Sequence, residues 1–278
     1  MDNSSQYKKF KNNRINQAFS KENFGLSQIE IVFSDLCNRT CGFCPRGVNY
    51  PNSNDNMSVD DAELIRVRLM EFDYKGAMAI SGKGEPLLNK NAVDCISKLK
   101  QWKPFLITNG DPLLKNDTLV ERMFDAGLNY LIISEYDSEE KINMWYEKYS
   151  DYQIFVRNLV GDFNYDAVNI SNRGGAMYDI SKSVSKICYL PFYKCVIDFD
   201  AKVQFCNNDW TYKHEIGDLK KQTMKDIWLG DEIMKFRKLL SAGKRDKIKM
   251  CKNCNVKGNV IGQKSFNYFK ENFNEIYH

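Results

Sequence analysis

The chain has 278 residues, with 40 Lys or Arg, 36 Asp or Glu and two His, so its formal charge is +4 with His neutral. Hydrophobic residues at 43% and charged residues at 27% are ordinary globular values and exclude a disordered or fibrous chain. The basic residues are scattered among acids, which argues against a nucleic-acid partner. Only His214 and His278 are present, so histidine cannot supply a metal site.

Cysteine is the unusual residue, because the chain contains nine. The N-terminal stretch is polar and lacks the apolar core of a signal peptide, and no run of about 18 apolar residues occurs. We therefore expect a cytoplasmic protein with no membrane partner. In a reducing compartment, closely spaced cysteines indicate metal or redox chemistry and not a disulfide framework.

Strands and helices are predicted to alternate through the first two thirds of the chain. Residues 1–26 lack sustained periodicity and are interpreted as an N-terminal arm. Ser58 followed by Asp61 predicts the start of a helix after the first strand. Strands are predicted at 29–33, 77–80, 105–108, 130–134, 153–159 and 167–170, with further helices at 91–102, 116–126 and 138–148. This alternation predicts an α/β fold, a partial (β/α)6 TIM-like barrel over 27–185, with its chemistry at the C-terminal ends of the strands.

The pattern changes near residue 186. Residues 193–206 predict a hairpin that turns at Asp200–Ala201, and two short helices are expected at 224–228 and 233–240. A small C-terminal α+β domain is thus predicted over 186–260, followed by a helix or tail over 261–278. Because this domain is small for its core, a bound metal would stabilise it.

Three cysteines follow the first strand directly. Cys37, Cys41 and Cys44 form a C-x3-C-x2-C pattern in the segment CNRTCGFC. A short loop of this kind can bind three irons of a four-iron cluster and leave one iron open for a non-protein ligand. The alternatives are an incomplete zinc site or three unrelated thiols.

This motif, with Phe43 before its last cysteine, resembles the hallmark of the radical S-adenosylmethionine enzymes. The resemblance implies a [4Fe-4S] cluster that binds S-adenosyl-L-methionine and cleaves it to a 5′-deoxyadenosyl radical. The family's Gly-Glu-Pro motif, which holds the methionine amino group, matches Gly84, Glu85 and Pro86. Asn109, in the segment TNG after the third strand, matches a further recurrent segment. Without the cysteines, the Gly-Glu-Pro segment would equally suit a surface turn.

A second set of cysteines lies in the C-terminal domain. Cys251 and Cys254 form a C-x2-C pair, and Cys188 and Cys206 flank the hairpin. Four thiolates suit either structural zinc or a fully ligated iron–sulfur cluster. The arrangement resembles the Twitch domain, a short form of the SPASM domain, which implies an auxiliary [4Fe-4S] cluster. The remaining Cys195 is interpreted either as a buried thiol or as a chemical group.

Several segments resemble those family members that oxidise a secondary alcohol of an aminocyclitol to a ketone. They include GEPLL, TNGD, SNRGG and CKNCN. The resemblance implies that Arg173 of SNRGG contacts the reacting hydroxyl; alternatively, Arg173 pairs with a carboxylate of S-adenosylmethionine or of the protein. It also implies an auxiliary cluster that accepts an electron, a flavodoxin- or ferredoxin-like reductant, and a small polyhydroxylated substrate. Departures at NNDW and SGK favour a different polyol, such as a sugar or nucleotide sugar.

Other functions remain open from the sequence. An epimerase would use the same hydrogen abstraction and return a hydrogen atom from a thiol, for which Cys195 is the candidate. A peptide-modifying maturase would anchor a precursor peptide on the C-terminal domain. Outside enzyme chemistry, the alternatives are a zinc-binding module or an RNA-binding protein.

Overall fold

The computed structural model describes residues 3–48, 50–160, 171–181, 184 and 186–273, which build one eight-stranded sheet with its helices. The strands are β1 (Gln28–Ile31), β2 (Ala77–Ile80), β3 (Phe105–Thr108), β4 (Tyr130–Glu135), β5 (Ile154–Asn158), β6 (Lys194–Ile197), β7 (Lys202–Gln204) and β8 (Glu215–Asp218). The α-helices in these residues are α1 (Asn3–Gln17), α2 (Val59–Glu71), α3 (Ala92–Leu99), α4 (Asp111–Leu114), α5 (Leu119–Asp125), α6 (Glu139–Lys148), α7 (Leu190–Tyr193), α8 (Met224–Leu229), α9 (Asp231–Ser241), α10 (Lys249–Lys252) and α11 (Gln263–Asn272).

The sheet has the order β5-β4-β3-β2-β1-β6-β7-β8. The first six strands in this order are parallel, and β7 and β8 continue the sheet as antiparallel strands. Helices connect the parallel strands, as right-handed crossovers require. The predicted α/β architecture with a partial barrel is therefore confirmed.

The sixth parallel strand is not the segment that the sequence analysis proposed. Residues 167–170 lie outside the described residues. Instead β6 pairs with β1, with Ile29 opposite Cys195 and Ile31 opposite Ile197. The predicted hairpin exists, since β6 and β7 are antiparallel, but its first strand also belongs to the barrel sheet. Alternating hydrophobicity identifies a strand and does not identify its partner, which explains the difference.

One face of the sheet forms the main core with the connecting helices. Ile29 and Ile31 of β1 are fully buried there, together with Leu69 of α2. The Ser58 hydroxyl caps α2 by accepting a hydrogen bond from the Asp61 amide at 3.0 Å, as the sequence predicted. The opposite face carries polar side chains and a small apolar cluster of Ala79, Phe105 and Ile132, and it borders a cavity.

The N-terminal arm contains a helix that its sequence pattern did not predict. Helix α1 packs on the cavity side of the sheet, where Phe10 contacts Phe105 and Tyr130 at ring-centroid distances of 5.9 and 5.0 Å. Its sequence is polar and rich in Asn, so tertiary packing stabilises the helix where propensity does not.

Helix α11 occupies the predicted C-terminal helix or tail. Phe269 is fully buried and lies against Phe192 and Trp228, while the Ser265 hydroxyl donates to the Gly25 carbonyl at 2.7 Å. The C-terminal helix thereby closes the outside of the barrel beside β1. Among the described helices, none has both the length and the apolar character that crossing a bilayer requires.

Candidate active site

A cavity of about 340 Å³ lies at the C-terminal ends of the parallel strands. Every parallel strand or the loop after it contributes to the wall, as expected for a barrel site. Of the predicted site residues, the cavity brings together Cys37, Cys41, Phe43, Cys44, Gly84, Glu85, Asn109, Arg173 and Cys206. Pro86 is buried beside the cavity, where it begins a short 3-10 turn.

The three-cysteine loop is held by hydrogen bonds from its own neighbourhood. The Cys37 amide donates to the Asn52 side-chain oxygen at 2.8 Å, and the Asn52 amide group donates back to the Cys37 carbonyl at 2.9 Å. Burial and the neighbouring Cys44 and Cys37 raise the pKa of Cys41 to about 11. The three thiols are thus close enough to influence one another's ionisation, which fits a shared cluster whose metal would stabilise the thiolates.

Arg39, between the first two cysteines, ties this loop to the ends of β3 and β4. Its guanidinium donates to Asp111 from Nε at 2.7 Å and to Asp137 from Nη1 at 2.8 Å. Hydrogen bonds from Arg39 lower the pKa of both carboxyl groups. Paired, forked hydrogen bonds of this kind are among the stronger contacts in proteins, so Arg39 fixes the loop against the barrel.

Glu85 connects the Gly-Glu-Pro loop to the end of β3. Its carboxylate accepts hydrogen bonds at 2.7 Å from both the Thr108 hydroxyl and the Asn109 amide. Burial raises the pKa of Glu85 to about 7, although these hydrogen bonds oppose the shift. A Cβ at Gly84 would lie 2.3 Å from the Ser34 carbonyl oxygen, so only glycine fits there.

Phe43 and Tyr136 form an aromatic wall beside the cysteines. Their ring centroids lie 5.5 Å apart and the rings are stacked. The Arg39 guanidinium carbon lies 5.5 Å from the centre of the Tyr136 ring. Phe43 and Tyr136 both line the main cavity beside the cysteine loop.

The SNRGG segment joins the cavity to the second cysteine set. Asn172 is fully buried; its backbone amide donates to the Asn255 side chain at 2.8 Å, and its side-chain oxygen accepts from the Asn255 amide at 3.1 Å. Arg173 has a φ of 52°, in the left-handed region. Burial lowers the pKa of Arg173, and the nearby Cys44 opposes that change. Its Nε has no hydrogen-bond partner among the described residues. This Nε is therefore available to donate a hydrogen bond to a ligand.

The second cysteine set converges behind the cavity. Cys188, Cys206, Cys251 and Cys254 are buried around a small apolar space that also contacts Arg245. Burial raises the pKa of Cys206, and the charge of Cys188 raises it further. Among the described residues, no three Cys, His, Asp or Glu side chains are close enough to hold one metal ion. Cys206 borders both the apolar space and the main cavity.

Cys195 lies on the other face of β6. It is fully buried in the core between the sheet and the helices, and burial raises its pKa to about 12. The adjacent Val196 faces the cavity instead, because successive side chains on a strand point to opposite sides. This position favours the interpretation of Cys195 as a buried thiol over its interpretation as a hydrogen donor.

Several cavity residues were not predicted from the sequence. Tyr7 and Lys11 reach the wall from α1, and Arg157 reaches it from β5. Lys83 lies with its Nζ 2.9 Å from the Tyr212 ring centre, and burial lowers its pKa to about 7. The one available signal was the four-residue spacing of Tyr7 and Lys11, which places both on one helix face.

The fold and the two cysteine sets are those expected of a radical S-adenosylmethionine enzyme with an auxiliary-cluster domain, and the comparisons confirm this resemblance. Residues 188–255 match the SPASM family model, described as an iron–sulfur cluster-binding domain. The matched range contains all four cysteines of the second set.

The chain is similar to the S-adenosyl-L-methionine-dependent 2-deoxy-scyllo-inosamine dehydrogenase of Niallia circulans, with 27% identity over 82% of this chain and 92% of that protein. It also resembles the crystal structure of BtrN in complex with AdoMet and 2-DOIA, at 26% identity and a TM-score of 0.70, covering 83% of this chain and 93% of that one. A probable GTP 3′,8-cyclase of Methanocaldococcus jannaschii is 32% identical over 41% of this chain and 38% of that protein.

These similarities confirm three predictions made from the sequence: the resemblance to radical S-adenosylmethionine oxidoreductases, the enzyme class, and the cofactors, S-adenosylmethionine and [4Fe-4S] clusters. The donor set of the chain fits these cofactors, since three thiols of one loop line the main cavity and four thiols line the adjoining apolar space, with Cys206 bordering both.

Proposed function

We propose that the enzyme oxidises a secondary alcohol of a sugar, nucleotide sugar or aminocyclitol to a ketone. The observation that best supports this proposal is that the three-cysteine loop and the second cysteine set border the same cavity, through Cys44 and Cys206. Dehydrogenation needs both, because oxidation of the alcohol leaves an electron that must be removed from the substrate. The similarity to the inosamine dehydrogenase over most of both chains supports the same reaction type.

The proposal assigns the first cluster to Cys37, Cys41 and Cys44, and the auxiliary cluster to Cys188, Cys206, Cys251 and Cys254. When bound, the clusters and S-adenosylmethionine together supply removal of one hydrogen atom and one electron from the carbinol. The chain itself has to bind the substrate, orient its hydroxyl and receive one proton. A flavodoxin- or ferredoxin-like protein is proposed to reduce the first cluster.

Arg173 is the residue proposed to orient the reacting hydroxyl. Its guanidinium remains protonated at neutral pH and has an unpartnered Nε among the described residues, so it donates to the substrate oxygen and stabilises negative charge as the hydroxyl proton leaves. Asn172 holds Arg173 in place through the residues around Cys254. Glu85 is bound to Thr108 and Asn109 and acts as a positioning residue for the Gly84 loop, which is proposed to hold the methionine amino group.

The proposal is tested by anaerobic turnover with a panel of polyols, with 5′-deoxyadenosine and the ketone, two hydrogens lighter than the alcohol, measured by mass spectrometry. Alanine at Cys37, Cys41 and Cys44 together should abolish S-adenosylmethionine cleavage and retain roughly half of about eight irons. The same reaction is run in deuterated water. A product whose reacting carbon is inverted and carries deuterium, with no ketone formed, would overturn the proposal in favour of an epimerase. Cys195→Ala should retain turnover in the dehydrogenase.

A further inference from the structure

Helix α1 forms the base of the cavity. Tyr7 and Lys11, one turn apart, point into the cavity, while Arg14 on the neighbouring stripe contacts the Lys103 carbonyl just before β3 at 3.4 Å. The helix therefore lies toward the N-terminal ends of the strands, opposite the cysteine loop. A segment outside the alternating strands and helices of the barrel thus supplies part of the active-site wall.

The wall carries more positive than negative charge. Lys11, Arg39, Lys83, Arg157 and Arg173 line the cavity, against Glu30 and Glu85. Arg39 is already paired with Asp111 and Asp137, and Glu30 is already paired with Lys194. In the part of the chain that the structure describes, Lys11, Arg157 and Arg173 form no ion pair with a carboxylate.

Lys11 is a partly buried cation that lies among other cations. Burial and the positive charge of Lys194 lower its pKa to about 8, and Glu30 only partly opposes them. Arg157 is adjacent, with its guanidinium carbon 4.5 Å from the centre of the Tyr7 ring. Cationic groups held together in a partly desolvated site favour an anionic ligand, which restores the missing charge.

We propose that Lys11, with Arg157 beside it, forms a subsite for an anionic substituent of the substrate, a phosphate or a carboxylate. This inference rests on the proposed dehydrogenase function and narrows its substrate to an anionic sugar or cyclitol derivative. An aminocyclitol would place its ammonium group among cations of the same sign, which costs free energy in a partly buried site.

The test is equilibrium binding to the anaerobically reconstituted enzyme, with glucose 6-phosphate, glucuronate, glucose and glucosamine as probes. We expect at least one anionic probe to bind about tenfold more tightly than glucose, since hydrogen bonds to charged groups are stronger than those between neutral groups. The two anionic probes show whether the subsite prefers phosphate or carboxylate. Lys11→Met should remove the preference, whereas Lys9→Met, an exposed lysine on the same helix, should retain it.

Two further measurements make the test decisive. Lys11→Arg keeps the positive charge and should therefore keep the preference for the anionic probe that Lys11→Met loses. Circular dichroism of both variants checks that each is folded. S-adenosylmethionine binding should be unchanged in Lys11→Met; weaker S-adenosylmethionine binding without loss of anion preference would overturn the inference. Ketone formation from neutral polyols with no anion preference would defeat the subsite alone. Binding of the anionic probe through Lys11 with no ketone from any polyol would defeat the dehydrogenase proposal alone.

Discussion

Glu85 is a buried acid whose ionisation should affect folding stability. Its pKa is about 7 in the folded chain and 4.5 in the reference state. The folded state therefore retains a proton that the unfolded state loses, and the free energy of unfolding should fall as pH rises from about 4.5 to about 7. A difference of this size corresponds to about 3 kcal/mol, as an order of magnitude. Glu85→Gln should lose this pH dependence.

Urea unfolding of the metal-free chain at about pH 5 and about pH 8 checks this expectation. The informative quantity is the change in stability with pH in the wild type minus the same change in Glu85→Gln, because all other titrating groups are shared. Equal changes in both proteins would contradict a raised pKa at Glu85. The residue itself was predictable from its motif, whereas its bonds to Thr108 and Asn109 depend on the pairing of β2 with β3.

Lys11 and Cys195 are two residues whose position relative to the cavity could not be predicted from the sequence. Alternation along β6 predicts that Cys195 and Val196 face opposite sides, but it does not say which side holds the cavity. Lys11 lies in a polar helix whose spacing carries almost no amphipathic signal. In both cases the role depends on which element packs against the residue, and that information is absent from the local pattern.

At the scale of elements, Arg39 connects a loop to two strand ends. Arg39→Met removes the hydrogen bonds to Asp111 and Asp137 and leaves the three-cysteine loop held mainly through Asn52. We expect Cys37 and Cys41 in the metal-free chain to be alkylated several-fold faster, with a stability loss of about 1–3 kcal/mol. Mass spectrometry of maleimide adducts measures the rates. Arg66→Met, which breaks an exposed pair with Glu63 on α2, is the matched control. Equal alkylation rates in the two variants would show that the hydrogen bonds of Arg39 do not hold the three-cysteine loop.

The elements themselves were largely predictable. Ser58 caps α2 as expected, and β6 and β7 turn at Asp200–Ala201, because these features rest on local chemistry. Helix α1 was not predicted, since Phe10 stabilises it only by packing on Phe105 and Tyr130 from distant strands. Local signals identify local structure, and the missed helix is held by long-range contacts.

At the scale of the whole molecule, the second cysteine set and the barrel share a strand. Cys254→Ser should lose about four of about eight irons and destabilise the entire chain, because cluster binding contributes folding free energy and β6 belongs to the barrel sheet. Iron analysis and thermal unfolding followed by circular dichroism measure both effects. Cys95→Ala, which removes a core thiol outside both sets, should keep its iron. Loss of iron with an unchanged unfolding temperature would show that the two parts unfold independently.

The shared strand also limits how this protein can be recombined with its relatives. A chimera that exchanges the SPASM-matching segment at residue 188 transfers β6 together with the cysteines. A graft that begins after the hairpin, at Cys206, keeps β6 and β7 with the recipient barrel. A chimera left with no β6 from either parent would expose one edge of β1 and one edge of β7, and exposed strand edges are prone to aggregation. Domain grafting therefore has to treat β6 as a strand of the barrel.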